Sequence, residues 1–176
     1  MKFQTNIKQH LTALLTEMVL HPDQLRVDVI TVGINSRITI TATHSDSRKI
    51  VGAGGVYFSA LKMMTSIWAA RDKCGCVFDF VKSVGRAEIE GYPPFEIVEN
   101  WDREKVVELA LGTARALASN PDSVKIETVD GKNGVTNLDV FVSGEQNPEV
   151  MRQIMSTLIR PIGKIKGRNL IFNVIQ

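Results

Sequence analysis

An internal repeat constrains this 176-residue chain more than any other feature. The segment from Leu11 reads LTALLTEMVLHPDQLRVDVI, and the segment from Leu111 reads LGTARALASNPDSVKIETV. With Pro22 placed on Pro121, an offset of 99, Asp23 meets Asp122 and Leu25 meets Val124. At the same offset Arg26 meets Lys125, Val27 meets Ile126 and Asp28 meets Glu127. SRITITA then aligns with TNLDVFV, placing Ile38 on Leu138 and Ile40 on Val140 at an offset of 100. MMTSI from Met63 aligns with IMSTL from Ile154 at 91, and CVFDFV from Cys76 aligns with LIFNVI from Leu170 at 94. The fall from 100 to 91 predicts that the second copy lacks about nine residues just before that helix. Two copies in one order read as a duplicated domain, since a solenoid needs at least three repeats.

The periodicities inside the first copy predict its elements. Ile7, Leu11, Leu14, Leu15 and Met18 recur at three- and four-residue spacing, an amphipathic helix over Asn6–Leu20 that Pro22 stops. Leu25, Val27 and Val29 alternate with Arg26 and Asp28, as in a half-buried strand. Gly33-Ile34-Asn35-Ser36 supplies a turn, and Ile38, Ile40 and Ala42 alternate with Thr39, Thr41 and Thr43 in a return strand. A short helix after HSDSRK, a glycine cluster, a helix from Val56 to about Arg71 and a strand VFDFV complete an αββααβ order.

The second copy is expected to repeat that order. Its first helix starts at Asp102 with Val106, Val107, Ala110, Leu111, Ala114 and Leu117 on one side. Strands near Val124–Val129 and Leu138–Val142 flank the hairpin turn DGKNG. A helix from Pro148 to Ile159 ends at Pro161, and Asn169–Ile175 is the last strand. Between the copies, Gly91-Tyr92-Pro93-Pro94 and four glutamates mark residues 82–101 as a linker. The expectation is an α+β chain with domains at 1–81 and 102–176, each a three-stranded sheet covered by helices.

Composition narrows the class. A hydrophobic content of 44% with 23% charged residues excludes a disordered, collagenous or coiled-coil chain. The net charge of +2 does not by itself announce a nucleic-acid partner. It divides as nine basic against six acidic side chains in residues 1–81, two against four in 82–101, and ten against nine in 102–176. Cys74 and Cys76 provide neither a disulfide framework nor a zinc set, as expected of reduced, partly buried thiols in a reducing compartment. No apolar run approaches the roughly 18 residues of a membrane span, and MKFQTNIKQH lacks the apolar core of a signal peptide. A cytoplasmic location without membrane contact is expected.

The candidate site is Arg48-Lys49-Ile50-Val51-Gly52-Ala53-Gly54-Gly55-Val56. Glycines between two helices permit positive φ and leave no side chain to block a ligand's approach. The start of the second helix offers amide donors and a dipole end that favours an anion such as phosphate. Arg48 and Lys49 add positive charge just upstream. The string is not a Walker loop, because no Gly-Lys-Ser/Thr follows, and not a dinucleotide fingerprint, because a helix precedes it. A tight interhelical turn would account for the isolated string equally well.

HPDQLRVDV, ITITATHSDSRKIVGAGG and the FSALKMM helix, in αββααβ order with Gly-x-x-Gly between adjacent helices, resemble the bacterial-type (type II) KH RNA-binding domain. The resemblance covers residues 5–81; the second copy shares element order and hydrophobic spacing. It implies two tandem type II KH-like domains, the first clamping the backbone of about four nucleotides. Gly52, Ala53, Gly54 and Gly55 are then the clamp, Ile50, Val51 and Val56 line an apolar groove for the bases, and the Thr39–Thr43 strand is its far wall. The partner implied is single-stranded RNA, with single-stranded DNA the alternative for a loop that grips backbone. The family places a basic residue at a middle loop position, where this chain has Ala53 and Gly54. The second copy carries GEQNPEV instead of the loop and is expected to be structural or protein-contacting.

Other residues have simpler readings. Arg160, Lys164, Lys166 and Arg168 form a basic turn, solvated or an auxiliary phosphate contact. Trp68 is spaced from Leu61 and Met64 for core packing, while Tyr92 and Trp101 fit interdomain packing or base stacking. His10, His21 and His44 show no metal-ligand spacing with the cysteines. No nucleophile–base pair, HExxH or Gly-x-Ser-x-Gly is present, so neither catalysis nor a cofactor is expected. The alternative to nucleic-acid binding is a protein-interaction or scaffold module, including a homodimer.

Overall fold

The computed structural model describes residues 2–79, 82–84, 102–131, 134–165 and 167–176. The chain divides into two compact units, Met1–Gly91 and Tyr92–Gln176, both α+β.

In the first unit, α1 (Lys2–Thr16) leads through a 3-10 turn at Pro22–Gln24 to β1 (Arg26–Val32) and β2 (Asn35–Thr43). Then come α2 (His44–Val51), a 3-10 turn at Ala53–Gly55, α3 (Val56–Arg71), β3 (Gly75–Phe78) and β4 (Lys82–Val84). The helix read to Leu20 stops at Thr16, yet its apolar stripe holds: Ile7, Leu11, Leu14, Leu15 and Met18 are all buried. β2 is the central strand, antiparallel to β1 and parallel to β3 and β4. Ile38, Ile40 and Ala42 face the core with Leu61, Met64 and Trp68 of α3, and the intervening threonines face away, as the two-residue period of a strand requires. The strand read as VFDFV is interrupted after Phe78, where the Asp79 amide still donates to the Ile38 carbonyl. Pairing then resumes at Lys82, so the first three residues of the expected 82–101 linker belong to this sheet. The rest of that linker, with Tyr92 and Trp101, lies outside the described residues.

The second unit contains α4 (Arg103–Leu117), a 3-10 turn at Pro121–Ser123, β5 (Lys125–Asp130), β6 (Val135–Phe141), α5 (Pro148–Ile165) and β7 (Asn169–Ile175). Its sheet has the same plan, with central β6 antiparallel to β5 and parallel to β7. The registers correspond residue for residue with the repeat. Val27 pairs Ile40 where Ile126 pairs Val140, and Ile38 pairs Phe78 where Leu138 pairs Phe172.

Three expectations for this unit need correction. Its order is αββαβ: the described residues between β6 and α5 hold no helix corresponding to α2, which is where the repeat loses its residues. The buried stripe of α4 runs through Leu109 and Thr113, leaving Val107 and Leu111 half-buried. α5 continues through Pro161 to Ile165. Proline there forfeits one helical hydrogen bond, but the last turn buries Ile162, and Gly163 lies so close to β7 that an added Cβ would stand 2.5 Å from Leu170 Cγ. Packing outweighs the missing bond.

Candidate functional site

The bend between α2 and α3 is built by backbone geometry that side chains disfavour. α2 begins with Thr43, whose hydroxyl accepts the Asp46 amide hydrogen at 3.2 Å, and ends at Gly52, whose amide donates to the Arg48 carbonyl at 2.9 Å. Gly52 then adopts φ 74° and ψ 170°, a region open in practice only to glycine. Tyr57 closes over it: a Cβ on Gly52 would stand 2.5 Å from the tyrosine ring. Gly54 (φ 63°) and Gly55 (φ 77°) are left-handed as well, and nothing lies within 4 Å of the place a Cβ would occupy on either.

Hydrogen bonding inside the bend is sparse. The Gly55 amide donates to the Gly52 carbonyl at 3.1 Å, and the Val56 amide donates to the Ala53 carbonyl. Because the Gly52 torsions break the helical ladder, the amides of Ala53 and Gly54 cannot reach back into α2. No side chain caps the start of the 3-10 turn or of α3, so the first-turn amides of α3 are not screened by a capping oxygen. Ala53 and Gly54 are exposed, and Val56 is 47% exposed.

The other expected site residues separate. Arg48 is exposed and Lys49 half-buried on the last turn of α2. Burial pushes the Lys49 amine below its ordinary value, against the opposing pull of Asp46. Val51 is half-buried, but Ile50 has no exposed surface and belongs to the core, so it cannot line a groove. Thr39, Thr41 and Thr43 do share one face of β2, half-buried. Thr43 is committed to capping α2, and Thr39 donates to Asp79 at 3.4 Å.

Sequence reasoning missed the group at the opposite end of α2. The Asp46 side chain is fully buried and accepts four hydrogen bonds: from the amides of Leu20 (2.7 Å) and His21 (3.0 Å), from His21 Nδ1 (3.0 Å) and from the Thr43 hydroxyl (3.0 Å). Burial works to raise its pKa, but these donors outweigh it and hold the carboxyl below its usual range. An ionised carboxylate only accepts, so Nδ1 of His21 is the donor in this pair. In the second copy Ser119, at the position of Leu20 in the repeat, likewise donates its amide to a carboxylate, Glu145, at 3.0 Å. Tyr57, the next residue after the candidate string, and the edge-to-face pair of Phe58 with Phe78 (centroids 5.3 Å apart) also stand beside the bend.

Elsewhere, Trp68 is buried as expected, its ring 6.1 Å from His10 and 5.8 Å from the Arg71 guanidinium carbon. Cys74 and Cys76 are half-buried free thiols, both pushed up by burial. In the basic turn, Arg160 Nε donates to the Leu170 carbonyl at 3.0 Å, and Lys166 lies outside the described residues. Among the described residues, no three His, Cys, Asp or Glu side chains converge to hold a metal, and no single helix is long and apolar enough to cross a membrane. No family model matches the chain, and no curated protein matches it.

Proposed function

We propose that the first unit is a type II KH-like module that binds single-stranded RNA non-enzymatically, in the cytoplasm, through the bend at Gly52–Gly55. One observation carries this reading. The exposed amides of Ala53 and Gly54 have no partner in either flanking helix, and the space over Gly54 and Gly55 is open. A phosphate group supplies the acceptor such amides lack. Arg48, Lys49 and the start of α3 add attraction of the same sign. The second unit has no helix–helix bend at the corresponding place and is structural or protein-contacting.

The test is fluorescence anisotropy with a labelled 12-mer of single-stranded RNA and its DNA counterpart, at low salt. The double substitution Ala53→Asp, Gly54→Asp should abolish binding by repelling phosphate. Binding equal to the unsubstituted chain would overturn the clamp. Matched affinity for RNA and DNA would make the grip one on the backbone alone, since an RNA preference requires contact with the 2′-hydroxyl.

A second reading, a protein-interaction module, draws on a different observation. Ile30, Val32 and Val77 are exposed on the sheet face turned away from the core, with exposed Ile34 at the hairpin tip. Absence of nucleic-acid binding together with a stable protein complex would favour it.

A further inference from the structure

The two copies differ in a way that separates two roles of Asp46. The second copy keeps one of them, since a carboxylate (Glu145) accepts the amide of the turn that follows the first helix. It has lost the other, because Asn120 stands where the first copy has His21. The second copy therefore fastens this turn without an imidazole, on an exposed carboxylate. The imidazole is found only in the unit that also has the glycine bend.

Its surroundings are those of an exposed group aimed by a buried one. His21 is 46% exposed at its side chain, while the carboxylate holding Nδ1 has no exposed surface. With Nδ1 given to Asp46, a protonated ring keeps Nε2–H as a further donor. α2 contains a single acid, Asp46, and buries it. The exposed side of α2 thus carries His44, Ser45 and Arg48, with half-buried Lys49, and no carboxylate. Along the 8 residues of α2, about 12 Å at 1.5 Å per residue, His21 lies at one end and the glycine bend at the other. About four stacked nucleotides cover that length.

We propose that His21, oriented by the buried Asp46, is a second anchor for the phosphate backbone of the strand gripped at Gly52–Gly55, so that the bound strand follows α2. This rests on the nucleic-acid reading above. Asp23, exposed in the same turn, opposes the attraction and limits the expected effect to several-fold.

The full chain would be titrated with a fluorescein-labelled 12-mer of oligouridylate at pH 6.0, over a series of salt concentrations. His21→Asn, which installs the second copy's residue, should weaken binding about 5- to 10-fold. It should also reduce the slope of log affinity against log salt by about 0.7, one phosphate contact, a change that a loss of stability alone does not produce. His21→Lys should bind within about twofold of the unsubstituted chain. Unchanged affinity and slope in His21→Asn, with binding abolished by the double aspartate substitution, would overturn the anchor and leave the clamp standing. Lower affinity in both His21 variants, accompanied by a lower melting temperature, would assign His21 to structure and equally overturn it. If the unsubstituted chain does not bind, the nucleic-acid reading falls and the anchor with it.

Discussion

Glu145 stands to Ser119 as Asp46 stands to Leu20: each carboxylate accepts the backbone amide of the residue that opens the turn after its unit's first helix, at 3.0 and 2.7 Å. The surroundings of the two bonds differ. Asp46 is fully buried and serves four donors, whereas the bonds of Glu145 are exposed to solvent. Disturbing a buried acceptor that serves several donors costs about 1–3 kcal/mol. Asp46→Asn should therefore destabilise the first unit by about 2 kcal/mol, read by urea unfolding, while Glu145→Gln should change stability little. A larger effect from Glu145→Gln would mean that burial does not set the difference.

Substitutions at the bend should rank by backbone conformation and by space. Gly54→Ala meets open space and bears only the left-handed φ, a cost of about 1–2 kcal/mol. Gly52→Ala bears a conformation restricted to glycine and drives Cβ into the Tyr57 ring, so it should cost about 3 kcal/mol. Thermal melts of the two variants should show that order. Tyr57→Ala combined with Gly52→Ala should recover the part owed to the clash.

Ala53 is exposed and, unlike its glycine neighbours, has no positive φ. Ala53→Lys can be introduced without strain and supplies the loop with a cation. Affinity for single-stranded RNA should rise several-fold, with a salt slope steeper by about 0.7. A rise that is insensitive to salt would refute a phosphate contact at this position.

His10 lies against Trp68, and burial lowers its pKa to about 4. The unfolded chain takes up the proton near pH 6.5 and the folded unit only near 4, so acid favours unfolding. Stability should be full above about pH 6.5 and decline as pH falls towards 4, by on the order of 3 kcal/mol across that window. Asp46, whose pKa is depressed, adds its own loss only at lower pH, below the usual carboxylate value. His10→Leu should flatten the decline between pH 6.5 and 4.5 in melts followed by circular dichroism. An unchanged decline would place the titration elsewhere.

Much of the fold was legible because the repeat tested most elements twice, α2 being the exception. Ile7, Leu11, Leu14 and Leu15 declare a buried stripe by spacing alone, and Val27 with Ile40 declares a register that Ile126 and Val140 repeat. Pro161 misled because propensity is local, while the packing of Ile162 and the approach of Leu170 to Gly163 are not. At the site, the glycines announced a bend, but Ile50 follows the buried Asp46 by one helical turn, so it points inward. His21 and Asp46 are 25 residues apart in sequence and meet only once α2 is placed beside the turn. The Tyr57 ring over Gly52 likewise depends on a torsion angle that composition does not encode.

The missing helix of the second unit has a numerical consequence. With one helix–helix bend among the described residues of the chain, the proposed stoichiometry is one strand per polypeptide. Lengthening an oligonucleotide beyond what that bend and α2 span should add statistical registers but no avidity. Bivalent engagement would require two chains, and the isotherm of a single chain should be a simple hyperbola.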